Sequence, residues 1–214
     1  MPVGRQGSLS FVVSLIAVVA MALAVATTGA AAGSGAGQGR ADAGLGWVRL
    51  QVIPHGGAAP LTSAIDWQIL TFGRDAGGRR QLVAEAKGPQ PELALPEGFY
   101  LAQAQTRDAL VKHTIEVAAG RSYSYTLDMN AGAVAVSAVL GRGGPSVRET
   151  VDWQVFKAGD TAFSKPVTTR RAADGRFLLR QGRYVILARQ GQWRGRTNVE
   201  VRAGNERRLT VELN

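Results

Sequence analysis

Cysteine is absent from the 214 residues. Its absence removes a thiol nucleophile, a thiolate zinc site, an iron–sulfur cluster, a disulfide and a lipid-modified cysteine anchor. Histidine is nearly absent. His55 lies in the turn-like run Pro54-His55-Gly56-Gly57, and His113 lies between Lys112 and Thr114. Neither has a carboxylate or a second histidine at ligand spacing, so both read as ordinary surface residues, and no metal or cofactor is expected. Also lacking are a G-x-S-x-G elbow, an H-E-x-x-H helix, a phosphate-binding loop and an EF-hand loop. Asp66 and Asp152 recur at matching places but stand 86 residues apart in sequence. Nothing requires them to come within the roughly 5–10 Å that paired-carboxylate catalysis needs. They read as residues that cap or salt-bridge a sheet. No catalytic residue is expected, and the chain reads as non-enzymatic.

Charge is scarce at the start of the chain. Arg5 is the one charged residue before Arg40, and Leu9 to Ala26 is an almost unbroken apolar run of 18 residues. Small residues follow, and both Ala24-x-Ala26 and Ala30-x-Ala32 fit the cleavage rule of a secretory signal. Residues 1–32 therefore read as a signal peptide, with an uncleaved anchor helix as the alternative, although a spanning helix needs about 20 residues. Either way the remainder is exported, to the periplasm or beyond the cell, and any membrane contact runs through this segment alone. From Thr27 to Gly46, 13 of 20 residues are Gly or Ala. Residues 33–46 read as a flexible tether, since such a composition buries too little surface to order itself.

What is present is a duplication. Asp66-Trp67-Gln68-Ile69-Leu70 recurs as Asp152-Trp153-Gln154-Val155-Phe156; Gly98-x-Tyr100 recurs as Gly182-x-Tyr184; Ala119-Gly120 recurs as Ala203-Gly204. Three landmarks in one order define repeats at 47–130 and 131–214. Within each, apolar residues alternate with polar ones: Val48, Leu50 and Val52; Ile65, Trp67 and Ile69; Val151, Trp153 and Val155; Tyr184, Ile186 and Ala188; Leu209, Val211 and Leu213. That period of two is the signature of strands. Turn signals such as Gly77-Gly78 and Asp174-Gly175 separate them. Six or seven short strands per 84-residue repeat predict an all-β chain, two tandem immunoglobulin-like antiparallel β-sandwiches after the N-terminal segment. The short Asn130-Ala131-Gly132 junction predicts restricted motion between them.

Gly98-Phe99-Tyr100-Leu101-Ala102, Ile115 to Gly120 and Leu127 resemble the closing strands of carboxypeptidase-regulatory-like and transthyretin-like β-sandwiches. Gly182 to Ile186, Val199 to Gly204 and Leu209-Thr210-Val211 repeat the pattern. The resemblance implies non-catalytic modules of envelope or secreted proteins, and it carries no functional residues. The residues themselves read structurally. Gly98 and Gly182 suit a positive φ where a loop enters a strand, and the tyrosine two residues on is placed to bond loop backbone. Trp67 and Trp153 fall on the apolar phase and are expected between the sheets.

The two repeats differ in charge. The first has 8 Lys+Arg against 8 Asp+Glu; the second has 15 against 7, and 13 of its 15 bases are arginine. Folding does not demand that surplus, and guanidinium suits two-pronged contacts to carboxylate or phosphate. The run Arg189 to Arg196 reads as a hairpin turning at Gly191-Gln192. On its returning strand Arg194, Arg196 and Arg202 take the outward phase, as does Arg208 on the last strand. Arg180 and Arg183 lie just before the strand that pairs with it, and Arg170-Arg171 form a further local pair. Trp193 takes the inward phase and reads as a lid at the core edge. Arg194, Arg196, Arg202, Arg208, Arg180, Arg183 and Trp193 are the expected contact set for an anionic envelope component, whether a lipid head group, lipopolysaccharide or acidic polysaccharide, or for an acidic protein. Nucleic acid matches the charge but not the exported address. The alternatives are a solvated basic surface and a purely structural spacer.

Overall fold

The computed structural model describes residues 44–160 and 162–214. The expected signal or anchor at 1–32 and most of the tether at 33–46 lie outside the described residues. Among those described there is no helix; fourteen strands account for the regular structure. In the first repeat they are β1 (Leu45–Ile53), β2 (Asp66–Thr71), β3 (Leu82–Lys87), β4 (Glu92–Pro96), β5 (Gly98–Gln105), β6 (Leu110–Val117) and β7 (Ser122–Asp128). In the second they are β8 (Ala131–Leu140), β9 (Val151–Lys157), β10 (Thr168–Ala172), β11 (Gly175–Arg180), β12 (Gly182–Gln190), β13 (Trp193–Val201) and β14 (Glu206–Leu213).

Each set of seven forms a two-layer sandwich of the same topology. Sheets β4-β1-β7 and β3-β2-β5-β6 face each other in the first, and β11-β8-β14 and β10-β9-β12-β13 in the second. The alternation in the sequence maps onto the layers. Val48, Leu50, Val52, Trp67, Ile69, Tyr100, Ile115 and Leu127 fill one core, and Val134, Val136, Trp153, Val155, Phe177, Ile186 and Val211 fill the other. Pairing departs from a wholly antiparallel expectation at one place in each copy, because β1 pairs β7 and β8 pairs β14 in parallel. Alternation reports which face a residue occupies but not the direction of its neighbour, so this pairing is invisible in the pattern.

The repeated landmarks have structural duties. The indole N–H of Trp67 donates to the Gly88 carbonyl at 2.9 Å, and that of Trp153 to the Ala172 carbonyl at 3.0 Å. Each tryptophan thus fills a core and ties down the far end of the neighbouring edge strand. The Tyr100 hydroxyl donates to the Pro96 carbonyl and the Tyr184 hydroxyl to the Arg180 carbonyl, both at 2.8 Å. Gly98 and Gly182 both hold φ of +150°, which lets the chain enter the strand beneath the tyrosine ring. Asp66 pairs with Lys87 at 3.6 Å and Asp152 with Arg171 at 2.7 Å, each bridging to the neighbouring strand. The Ala-Gly landmark is a turn laid across the start of the first strand. Gly120 N–H donates to the Leu45 carbonyl and Gly204 N–H to the Ala131 carbonyl.

The two sandwiches belong to one compact unit. Asp108, in the loop between β5 and β6, is buried and reaches into the slot between edge strands β10 and β11. Its carboxylate accepts from Thr168 Oγ1 at 2.8 Å, from the Arg170 guanidinium at 3.0 Å and from the Leu178 N–H at 3.0 Å. Asn130 O accepts from Gln181 N–H at 2.7 Å and Pro54 O from Ala131 N–H at 2.7 Å. These bonds tie the short junction to both sandwiches.

Candidate anion-binding face

The outer face of sheet β10-β9-β12-β13 is set by the turn at Gly191-Gln192. A two-residue hairpin loop fixes the register of its strands, so Gln190 pairs Trp193 and Arg189 pairs Arg194. On the other side of β12, Arg189 also lies opposite Asp152, and Asp152 lies opposite Arg171. One row therefore crosses all four strands in the order Arg171, Asp152, Arg189, Arg194. The next row reads Thr169, Gln154, Leu187, Arg196. Strands are about 4.8 Å apart, so each row spans about 14 Å.

The charges in the first row do not balance. The single carboxylate, Asp152, is engaged by Arg171. Among the described residues, the guanidiniums of Arg189, Arg194 and Arg196 have no Asp or Glu side-chain oxygen within 4.0 Å. Like charges placed directly opposite one another on neighbouring strands destabilise a sheet, and repeat one avoids this by placing Gln105 and Leu110 at the matching positions. The three arginines border a cleft of about 520 Å³ floored by Gln154, Leu187 and Ala188, with Glu212 and Asn214 at its end. The cleft continues along Gln154, Leu187 and Arg189 toward Arg171. Arg196 is held in place by stacking, with its guanidinium carbon 5.2 Å from the centroid of the Phe163 ring. Phe163 itself meets Phe156 edge-on at 5.2 Å, so the loop after β9 lies over this sheet and leaves the outward residues Phe156 and Val185 only 2% and 3% exposed.

The structure divides the residues expected from the sequence. Arg194, Arg196 and Arg183 share the outer face of the four-stranded sheet, with Arg183 near its opposite end and inside β12 rather than before it. Arg202 lies in the turn after β13 and pairs with Glu200 at 3.2 Å. Arg208 stands on β14, in the three-stranded sheet, and pairs with Glu206 at 2.9 Å. A single row joining Arg194, Arg196, Arg202 and Arg208 is therefore corrected, because β13 and β14, though consecutive in sequence, belong to opposite layers and β13 ends at Val201. Arg180 ends β11, and its Nε donates to the Met129 carbonyl at 3.3 Å, which makes it part of the junction. Arg170 and Arg171 are not a local pair: adjacent strand residues face opposite ways, so Arg171 points outward while Arg170 turns inward to Asp108. Trp193 has the expected inward phase but sits at the first position of β13 and is 40% exposed.

Sequence reasoning left Arg189 and Arg171 outside the site. The Gly191-Gln192 turn carried the signal for Arg189, since counting back from a two-residue turn pairs it with Arg194. Arg171 enters through β9, which no short-range pattern connects to it. His55 packs against Gly204 at the junction, and His113 is exposed 6.3 Å from the Tyr125 ring. Among the described residues no three His, Asp or Glu side chains gather to hold a metal ion.

No family model matches the chain, and no curated protein matches it. Solved structures do. The minor pilin of Streptococcus agalactiae shares 13% identity over 78% of this chain and 94% of its own, with a TM-score of 0.39. The shaft pilin of Lactobacillus rhamnosus GG shares 10% identity over 80% of this chain and 98% of its own, with a TM-score of 0.35. The Bacillus anthracis TIE protein shares 13% identity over 79% of this chain at a TM-score of 0.33, and this chain spans 34% of its length.

Proposed function

We propose that the chain is an exported, non-enzymatic module of the cell envelope whose second sandwich binds a polyanion on the outer face of β10-β9-β12-β13. The observation that carries this reading is the opposition of Arg189 and Arg194 across β12 and β13, with Arg196 beside them and no acidic side chain, among the described residues, on any of the three guanidiniums. Three guanidiniums around an open, partly apolar cleft supply paired N–H donors for carboxylate, phosphate or sulfate oxygens. The apolar N-terminal run and its small-residue exit support export. The candidate ligands are anionic lipid head groups, lipopolysaccharide, acidic polysaccharide and acidic protein surfaces.

The test is retention of the purified protein on immobilised heparin and on anionic liposomes. Retention should weaken steeply with salt, because the contacts are screened charge pairs. The double substitution Arg194→Glu with Arg196→Glu should abolish it while the protein still unfolds in a cooperative thermal transition. Unchanged retention in that variant would remove the face from consideration. The clamped junction at Asp108 favours a second reading, a rigid spacer in which the duplication sets length. Absence of retention on every polyanion tried would select it.

A further inference from the structure

The matching face of the first sandwich, on sheet β3-β2-β5-β6, is built differently. Its loop after β2 does not cover the sheet: Leu70 and Leu101 stay only partly buried where the second copy buries Phe156 and Val185, and Phe72 and Phe99, at the places of Ala158 and Arg183, are 50% and 56% exposed. The two rings lie side by side, 6.2 Å between centroids. Leu82, Leu70 and Leu101 form the adjacent row across β3, β2 and β5, and Leu82 is also exposed. A contiguous apolar patch of this kind marks a contact surface.

The charges around the patch identify what covers it. The row through the rings begins with Arg80, whose guanidinium carbon sits 5.4 Å from the Phe72 centroid. It ends with Glu116, which pairs Phe99 across β5 and β6. Read across the sheet, this row is positive, aromatic, aromatic, negative. On the other side of the leucines the row is Glu85, Gln68, Gln103, Lys112: negative, polar, polar, positive. Among the described residues none of Arg80, Glu85, Lys112 and Glu116 has an ion-pair partner within 4.0 Å. A two-fold axis lying in the face and running along the strands sends each position in a row to its mirror position on the other copy. Arg80 then meets Glu116 of a second copy, Glu85 meets its Lys112, Phe72 meets its Phe99, Leu70 meets its Leu101, and Leu82 meets its Thr114. Both charged rows satisfy the same operation, which is the self-complementarity of an isologous interface.

The second sandwich fails this operation on the equivalent face. There Arg171 would meet Arg194 of the other copy, and Phe163 already covers the apolar centre. The neutral repeat is thus suited to its own kind and the basic repeat to an anion.

We infer that the chain self-associates through the outer face of β3-β2-β5-β6, forming a two-fold dimer with Phe72 and Phe99 at its centre. Four strands by three rows give roughly 400 Å² per copy, below the roughly 800 Å² of a standard interface. The dimer is accordingly weak, with a dissociation constant on the order of 10–100 µM.

The experiment is sedimentation equilibrium of the exported protein across a concentration series, with chemical-shift or intensity changes on β5 and β6 read by NMR. A concentration-dependent monomer–dimer equilibrium is expected. Phe99→Glu should abolish it while leaving the thermal transition in place. Glu85→Lys alone and Lys112→Glu alone should each weaken association by about tenfold or more, since each creates two like-charge contacts per dimer. The double variant carrying both changes should restore it, because the swapped row is again self-complementary. Arg194→Glu should have no effect on association. A protein that stays monomeric at several hundred micromolar, or a double variant that is not restored, would overturn the proposal. Neither result bears on polyanion retention, which is read separately on the second sandwich.

Discussion

Asp108 of the first sandwich and Arg170 of the second meet at 3.0 Å, the carboxylate buried and the guanidinium largely so. The same carboxylate also accepts from Thr168 and from the Leu178 N–H, so one side chain satisfies donors on both edge strands of the slot. Arg170 lies over the Phe177 ring at 5.1 Å, which joins the clamp to the second core. Replacing Asp108 by Ala strands a buried cation and two other donors, at a cost of about 3–5 kcal/mol. Calorimetry of Asp108→Ala should show a lowered transition that separates into two, one for each sandwich. A single unshifted transition would mean the clamp contributes nothing to docking.

Two glycines at matching points of the first strands are required by close approach. A Cβ on Gly132 would overlap the Arg202 carbonyl oxygen and stand 2.8 Å from that of Asn205; a Cβ on Gly46 would overlap the Val117–Ala118 segment. The turn formed by the repeated Ala-Gly pair presses on the strand there. Gly132→Ala should therefore cost about 1–3 kcal/mol through overpacking. Gly159→Ala, where a Cβ meets nothing within 4 Å, should stay within about 0.5 kcal/mol of the parent. Denaturant midpoints of the two variants make the comparison.

Burial raises the pKa of the Tyr100 phenol above its usual value of 10.0. Burial also raises that of Tyr184, with the nearby Arg180 charge opposing the shift. A phenol with a raised pKa binds its proton more tightly in the folded state. Its stabilising contribution is present below pH 10 and is lost as pH rises through the folded-state value. Stability should fall on alkaline titration above about pH 10, and Tyr100→Phe with Tyr184→Phe should flatten that fall. At neutral pH the double variant should lose the two hydroxyl bonds to Pro96 and Arg180, worth about 1 kcal/mol each. Urea unfolding at pH 7 and pH 11 separates the two effects.

The opposition of Arg189 and Arg194 sets binding against folding. Arg189→Gln, which copies Gln105 of the first repeat, removes a like-charge pair. It should raise stability by a few tenths of a kcal/mol while weakening polyanion retention. Thermal melts and salt elution midpoints on the same variant give both numbers. A variant that loses stability and keeps retention would contradict the cost assigned to this pair.

Much of the core was legible in the residues. Alternation placed Trp67, Trp153, Ile69 and Val155 inward because a strand presents successive side chains to opposite faces and burial of one face is strongly favoured. The two tyrosines were legible because Gly-x-Tyr at a strand entry has one economical hydrogen-bonding outcome. The basic site was legible only in part. The outward phase of Arg194, Arg196 and Arg208 followed from period two, but phase says nothing about layer, so Arg208 was assigned to a surface it does not share. The Phe163 lid over Phe156 had no local signal at all.

Composition and repetition alone determined that the chain is a duplicated all-strand fold with one neutral and one arginine-rich copy, since these are properties of local alternation and count. The tertiary structure decided which arginines meet, that Asp108 locks the copies together, and that one outer face is covered while the other is bare. Those outcomes depend on which strands lie side by side and which layer each joins. Such pairings are made between residues far apart in sequence, where short-range periodicity carries no information.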